Sequence, residues 1–267
     1  MGNAELKAVI TGLLKKYRFQ LRFPDKSTGI IEPGHYFFKG NAGTGKTTSL
    51  NYLGSFLFRM GIVKDPAPVL LSASRLVGQY LGETAVQTRT LLEQNIGRLI
   101  MIDEAYALSD PNDRANSYKR DAINEIVAKL DDPVFRKTTC VVFAGYEGDM
   151  DGLYRENQGL RSRVKEIAFP DFTFEECMKI LSGMLEDQHA PANEDVLERC
   201  GEQIAYMQSC RGFSNGRTLR NYAAILVSNR ENRMLDASDE EAEAPDFSNI
   251  QMCDLPSQAD LTKKLNL

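Results

Sequence analysis

The sequence predicts an α/β fold: a doubly wound parallel five-stranded sheet followed by a small C-terminal helical lid. Three observations predict it. Short runs that are apolar along their whole length alternate with stretches of helical periodicity, the pattern of parallel strands covered on both faces. One of these runs feeds directly into a glycine-rich segment that opens a helix. Beyond Pro170 the strand-like runs stop and only helical patterns continue. A chain of 267 residues can bury one large core and a satellite.

Taken in order, Ile10, Leu13, Leu14 and Tyr17 fall at helical spacing and open the chain with an amphipathic helix. A Gly/Pro-punctuated stretch, 24–34, leads to the first strand, His35-Tyr36-Phe37-Phe38, an aromatic run suited to a pleated surface. After the glycine-rich segment, Leu50, Leu53 and Leu57 mark a second helix. Val69-Leu70-Leu71, Leu99-Ile100-Met101-Ile102 and Cys140-Val141-Val142-Phe143-Ala144 read as buried strands. Helices are expected between them over 84–94 and around Ala122, Ile123, Ile126, Val127 and Leu130. Glu166-Ile167-Ala168-Phe169 is the fifth strand, stopped by Pro170. Helical patterns then cover 174–185, 195–207 and 217–234.

The domain organisation expected from this pass is an α/β domain with its N-terminal helix over 1–170, a helical lid over 171–235, and an acidic linker and tail over 236–267. Asp239, Glu240, Glu241 and Glu243 make the linker a solvated stretch. Residues 255–267 read as a short docking segment without a legible role.

Composition narrows the partners. The net charge of −5 weighs against a sequence-independent nucleic-acid binder, whose affinity comes from lysine and arginine against phosphate. No apolar run reaches the about 18 residues that a membrane span needs, so neither nucleic acid nor membrane is expected as a partner. Cys140, Cys177, Cys200, Cys210 and Cys253 are scattered and form no C-x-x-C pair, which suits reduced thiols in the cytoplasm or another reducing compartment such as a plastid stroma or the nucleus. The start Met1-Gly2-Asn3-Ala4-Glu5-Leu6 has the outline of a myristoylation signal, but Leu6 stands where Ser or Thr is preferred. His35 and His189 are isolated and belong to no metal-ligand spacing.

Gly40-Asn41-Ala42-Gly43-Thr44-Gly45-Lys46-Thr47 matches G-x-x-x-x-G-K-[ST] in full, between a strand and a helix. The glycines let the backbone curl so that successive N–H groups face phosphate oxygens, and the helix adds its positive end. Lys46 would hold the β- and γ-phosphates and the Thr47 hydroxyl would ligate Mg²⁺. Gly40, Asn41, Ala42, Gly43, Thr44, Gly45, Lys46, Thr47 and Thr48 are thus the expected ATP-binding residues. The apolar strand ending in Asp103-Glu104 supplies the acids: Asp103 to support the Mg²⁺ shell, Glu104 to polarise a water for attack on the γ-phosphate. The expected chemistry is hydrolysis of ATP to ADP and phosphate, with ATP and Mg²⁺ as the bound groups.

Several segments carry a resemblance. The phosphate loop, Leu76-Val77-Gly78-Gln79-Tyr80-Leu81-Gly82-Glu83-Thr84-Ala85, Ile102-Asp103-Glu104-Ala105-Tyr106-Ala107-Leu108, Ala144-Gly145-Tyr146, Asn157-Gln158-Gly159-Leu160-Arg161-Ser162-Arg163 and Phe169-Pro170-Asp171-Phe172 occur in that order. Together they resemble the CbbX/CfxQ branch of AAA+ ATPases, which includes the red-type Rubisco activases and the stage V sporulation protein K group. The resemblance spans roughly residues 35–235.

The resemblance implies further roles. Tyr80-Leu81-Gly82 matches an aromatic pore loop that grips a polypeptide, and Arg161 and Arg163 match the arginine-finger segment, the choice between them left open. Ser214-Asn215-Gly216-Arg217-Thr218-Leu219-Arg220 resembles the start of the sensor-2 helix, with Arg217 the lid residue expected to touch ATP and Arg220 the fallback. Ala42 departs from the proline usual at that place. Ala144-Gly145-Tyr146 stands where many AAA+ proteins end the fourth strand with a polar Asn, so Tyr146 is a weak sensor candidate. The function implied is a ring of identical subunits, taken as hexameric, that couples ATP hydrolysis to remodelling a protein substrate, with Rubisco one candidate. The alternative is a nucleotide-gated assembly or scaffold module within a larger or tandem protein, without chain threading. A DNA-directed AAA+ protein is a third reading, opposed by the acidic charge and the Tyr80 segment.

Overall fold

The computed structural model describes residues 3–27, 29–78, 82–109, 116–237 and 247–267. The chain forms two compact units, one of Met1–Asn41 with Gly45–Phe169, the other of Ala42–Thr44 with Pro170–Leu267.

The first unit holds five strands, β1 (His35–Gly40), β2 (Val69–Ser72), β3 (Leu99–Asp103), β4 (Cys140–Gly145) and β5 (Val164–Phe169), in the order β2-β3-β4-β1-β5. Every neighbouring pair is parallel, as the expected doubly wound sheet requires. The helices of this unit are α1 (Ala4–Arg22), α2 (Lys46–Arg59), α3 (Glu83–Gln94), α4 (Asn116–Asp131), α5 (Pro133–Thr138), α6 (Glu147–Glu156) and α7 (Gly159–Arg163).

Each sheet face has its own core. Phe37, Ile100, Ile102, Val141 and Phe143 pack with Ile123, Ile126 and Leu130 of α4. Phe38, Leu99, Met101 and Val142 pack with Leu50, Leu53 and Leu57 of α2 and with Leu6 and Leu13 of α1. Successive strand residues thus serve opposite cores, which is why β1, β3 and β4 are apolar throughout. Each fully buried Phe or Leu contributes roughly 1.5–3 kcal/mol before chain entropy is counted. The start of α1 is fastened to β5: Asn3 Oδ1 accepts from Leu6 N at 2.9 Å, and Glu5 Oε2 accepts from Ala168 N at 2.8 Å.

His35 is a packed residue. It is 4% exposed, its Nδ1 accepts from Val141 N at 3.1 Å, and its Nε2 is buried without a partner. Burial, aided by the charge of Arg136, lowers its pKa from 6.5 to about 4.

The second unit contains α8 (Phe174–Asp187), α9 (Glu194–Ser209), α10 (Gly216–Asp236) and α11 (Gln258–Leu265). A capping box starts α8, with Thr173 Oγ1 accepting from Glu176 N at 3.3 Å and Glu176 Oε2 from Thr173 N at 3.0 Å. Leu181, Ile204, Met207, Leu219, Tyr222 and Leu226 form the core. Ile250, Leu261 and Leu265, from the stretch that sequence alone set apart as a tail, are buried in that same core. Arg233 fixes this stretch to α10, donating from Nε to Asp254 Oδ1 at 2.9 Å and from Nη2 to Asp254 Oδ2 at 3.0 Å. Asp239, Glu240, Glu241 and Glu243 lie outside the described residues. Among the described residues no helix is long and apolar enough to cross a membrane, and no cluster of His, Cys, Asp or Glu could hold a metal by itself.

Candidate functional site

The glycine-rich loop runs from the end of β1 to the start of α2, and backbone geometry explains its composition. A side chain at Gly40 would place Cβ 2.1 Å from the Phe169 carbonyl oxygen of β5. Gly43 and Gly45 have φ of 77° and 88°, a left-handed conformation that costs glycine little. Gly45 caps α2 and, having no side chain, leaves room at the helix N-terminus for an anion. Thr44 is buried, while Thr47 and Thr48 are exposed in the first turn of α2. Lys46 Nζ folds over the loop and donates to Gly40 O and Asn41 O, both at 2.7 Å. A glycine curl, a helix N-terminus and one ammonium form a donor set that fits a phosphate chain.

The loop tip packs within the second unit. Gly43 O accepts from Gly216 N at 3.1 Å, and a Cβ at Gly43 would stand 2.0 Å from Ser214 O. Asn215, buried at φ 49°, donates from Nδ2 to Asp171 Oδ1 at 2.8 Å and to Ala42 O at 3.4 Å. Arg217 follows in the first turn of α10. Asn215 was not singled out from sequence; an Asn ahead of Gly is a turn signal, and only the fold brings it to the loop.

Asp103 closes β3, and Glu104 follows at φ 53°. Asp103 Oδ1 accepts from Glu104 N at 3.0 Å, which steadies this left-handed step. A non-glycine residue held there stores about 1–3 kcal/mol and commonly marks a functional position. Ile102 pairs with Phe143 and Phe38 with Ala144, so Asp103 and the end of β1 lie at the same edge of the sheet, on either side of β4. Two strand spacings separate them, roughly 10 Å.

Arg161 and Arg163 lie on α7, which leads into the start of β5. His35 pairs with Val164 and Gly40 with Phe169, so α7 and the phosphate loop attach at opposite ends of the β1–β5 pair, roughly 17 Å apart along the backbone. The two arginines differ. Arg163 Nε donates to Asp131 Oδ1 at 2.7 Å, its Nη2 donates to Asp131 Oδ2, and its Nη1 donates to Gly159 O at 2.7 Å. The Arg163 hydrogen bond holds the Asp131 carboxyl below its ordinary pKa. Arg161 is exposed, with its guanidinium carbon 5.0 Å from the centroid of the Tyr154 ring. It lines an open cleft of about 730 Å³ together with Gly148, Asp151, Tyr154, Arg155 and Gln158.

Tyr80 and Leu81 lie outside the described residues; Gly82, at φ 85°, caps α3. Tyr146 is exposed at the end of β4, its ring 6.0 Å from that of Tyr106.

The family described as "ATPase family associated with various cellular activities (AAA)" matches residues 36–171, and the AAA lid domain family matches 173–264. A protein CfxQ homolog of Guillardia theta is 36% identical, covering 84% of this chain and 76% of its own. Protein CbbX of Cereibacter sphaeroides is 34% identical over 76% of this chain and 65% of its own. A chloroplastic ribulose bisphosphate carboxylase/oxygenase activase of Cyanidioschyzon merolae is 31% identical over 91% of this chain and 81% of its own. Among solved structures, the FIGL-1 AAA domain aligns with a TM-score of 0.55 over 96% of this chain and 78% of that one; at 19% identity it shares the fold.

Proposed function

The chain belongs to the CbbX/CfxQ branch of the AAA ATPases, and from that premise we propose that it acts as one subunit of a ring that couples ATP hydrolysis to remodelling of a protein partner. The observation that carries this reading is an exposed Arg161 on α7, a helix whose backbone joins the β1–β5 pair at the end opposite the chain's own phosphate loop. In this reading a finger on α7 serves the nucleotide of a neighbouring copy, and a complete site takes two subunits.

Within each site the chain's own groups divide the work. Backbone N–H groups from Gly40 to Thr48 cradle the phosphates, and Lys46 exchanges its loop carbonyls for β- and γ-phosphate oxygens. Thr47 and Asp103 would hold a Mg²⁺ ion, which when bound would offset phosphate charge. Glu104 orients the attacking water and accepts its proton. Arg161 is the finger in this reading, because Arg163 is already engaged by Asp131. A guanidinium at the transferring phosphoryl group is worth about 10³ to 10⁵ in rate in related NTPases. Arg217 contacts the nucleotide from the lid, and Tyr80, Leu81 and Gly82 grip the partner.

Two measurements test this. Glu104→Gln should retain ATP, lose turnover, and assemble in ATP to a multiple of the chain mass consistent with a hexamer. Tyr80→Ala should abolish remodelling far more than it slows hydrolysis. The carboxylase for which the Cyanidioschyzon relative is named is the first partner to try. Remodelling that survives Tyr80→Ala but not Glu104→Gln would instead favour a nucleotide-gated scaffold.

A further inference from the structure

Tyr154 has no role in the scheme above, yet it sits between two of its parts. It lies on α6 and is 4% exposed, with its ring packed edge-on against Phe37 at 5.0 Å. The Arg161 guanidinium carbon stands 5.0 Å from the ring centroid, and the Lys39 ammonium 5.6 Å from it. The Tyr154 hydroxyl donates to Glu166 Oε1 at 2.7 Å, and Lys39 Nζ stands 2.9 Å from the same oxygen. Lys39 immediately precedes Gly40, where the phosphate loop begins.

We propose that Tyr154 is the positioning residue of Arg161. Its ring face holds the guanidinium toward the neighbouring copy, and its hydroxyl, through Glu166 and Lys39, fastens that ring to the strand feeding the chain's own loop. This rests on the ring reading given above.

The physical argument is one of order. An exposed arginine samples many rotamers, and a finger must sit in one of them when the phosphoryl group transfers. A π-face at this distance attracts a guanidinium and selects orientations lying over it. The ring is itself fixed, by Phe37 behind it and by the hydroxyl's bond to Glu166. Burial and that bond raise the phenol pKa, so the hydroxyl stays a donor. Arg163 shows the contrast: its partner Asp131 is a carboxylate, which pairs with the charge that a phosphate would need. An aromatic face orients the charge and leaves its N–H donors available.

The alternative is that Tyr154 is only a core aromatic, and turnover of the full-length chain in ATP and Mg²⁺ separates the two. Tyr154→Leu should lower kcat about ten- to a hundredfold, as a misplaced catalytic group does. The KM for ATP should stay within about twofold, because ground-state binding is untouched. Tyr154→Phe keeps the ring and should hold kcat within about threefold. Tyr154→Leu combined with Arg161→Ala should be no slower than Arg161→Ala alone, since both remove one function. Mixing Tyr154→Leu copies with Lys46→Ala copies should restore turnover, because the second kind still presents its finger. Should Tyr154→Leu fail to fold, Tyr154→Met fills the space beside Phe37 without a ring face and replaces it in each comparison. Arg161→Ala at the wild-type rate would overturn the ring reading itself. A slow Arg161→Ala alongside a fast Tyr154→Leu, an additive double variant, or no recovery on mixing where Arg161→Ala copies do recover with Lys46→Ala copies would overturn the role of Tyr154 alone.

Discussion

His35 carries a cost that appears only in acid. Its pKa falls from 6.5 to about 4 because burial, and then Arg136, disfavour the imidazolium. The unfolded chain binds the proton first, so stability is full above about pH 6.5 and declines as pH drops toward 4, by about 1.4 kcal/mol per pH unit and roughly 3 kcal/mol in all. Urea unfolding at pH 7 and pH 4.5 should show this loss, and His35→Gln should shrink the difference. At Glu104, φ of 53° predicts that Glu104→Gly gains up to about 1 kcal/mol of stability while turnover disappears; thermal melts read beside an ATPase assay would check both halves. Sequence exposed the identity of Asp103 and Glu104, because an apolar strand ending in two acids after a phosphate loop is a distinctive order. It could not expose the left-handed step, which Glu does not advertise. Nor could it separate Arg161 from Arg163, since the distinction is made by Asp131, thirty-two residues earlier in the chain.

At the scale of elements, legibility followed periodicity. β1, β3 and β4 stand out because both faces are covered, and α8, α9 and α10 because each spans several turns. The three short helices α5, α6 and α7 escaped: α7 has five residues, too few to establish a period, and α6 is interrupted by Gly148 and Gly152. One of them did carry a usable signal, Asp132 followed by Pro133, a helix cap and first-turn proline. Caps also give the element-scale prediction. Thr173→Ala removes half of the box that starts α8 and should cost about 1 kcal/mol in urea unfolding, with Thr173→Ser close to wild type.

For the molecule as a whole, the second unit reaches further along the chain than its helical periodicity suggested. Residues 255–267 hold only short apolar spacings, and their docking depends on partners in α9 and α10 far upstream. The pairing of Arg233 with Asp254, which is 1% exposed, is part of that attachment. Asp254→Ala leaves Arg233 without its carboxylate, and removing one member of such a pair typically costs about 3 kcal/mol. A lowered urea midpoint, with faster amide hydrogen exchange in α9 and α10, is the expected result. If the midpoint does not move, residues 247–267 add little to the lid.

Phe37 serves one core and Phe38 the other. A slip of one place along β1 would exchange them and bury each against the wrong wall. The glycine loop hanging from the end of that strand is therefore indexed, like a tooth on a gear, by two aromatic rings buried on opposite faces of the sheet. A one-residue length change inside β1 should therefore misplace the loop, whereas one upstream of Pro33 should leave the strand in register.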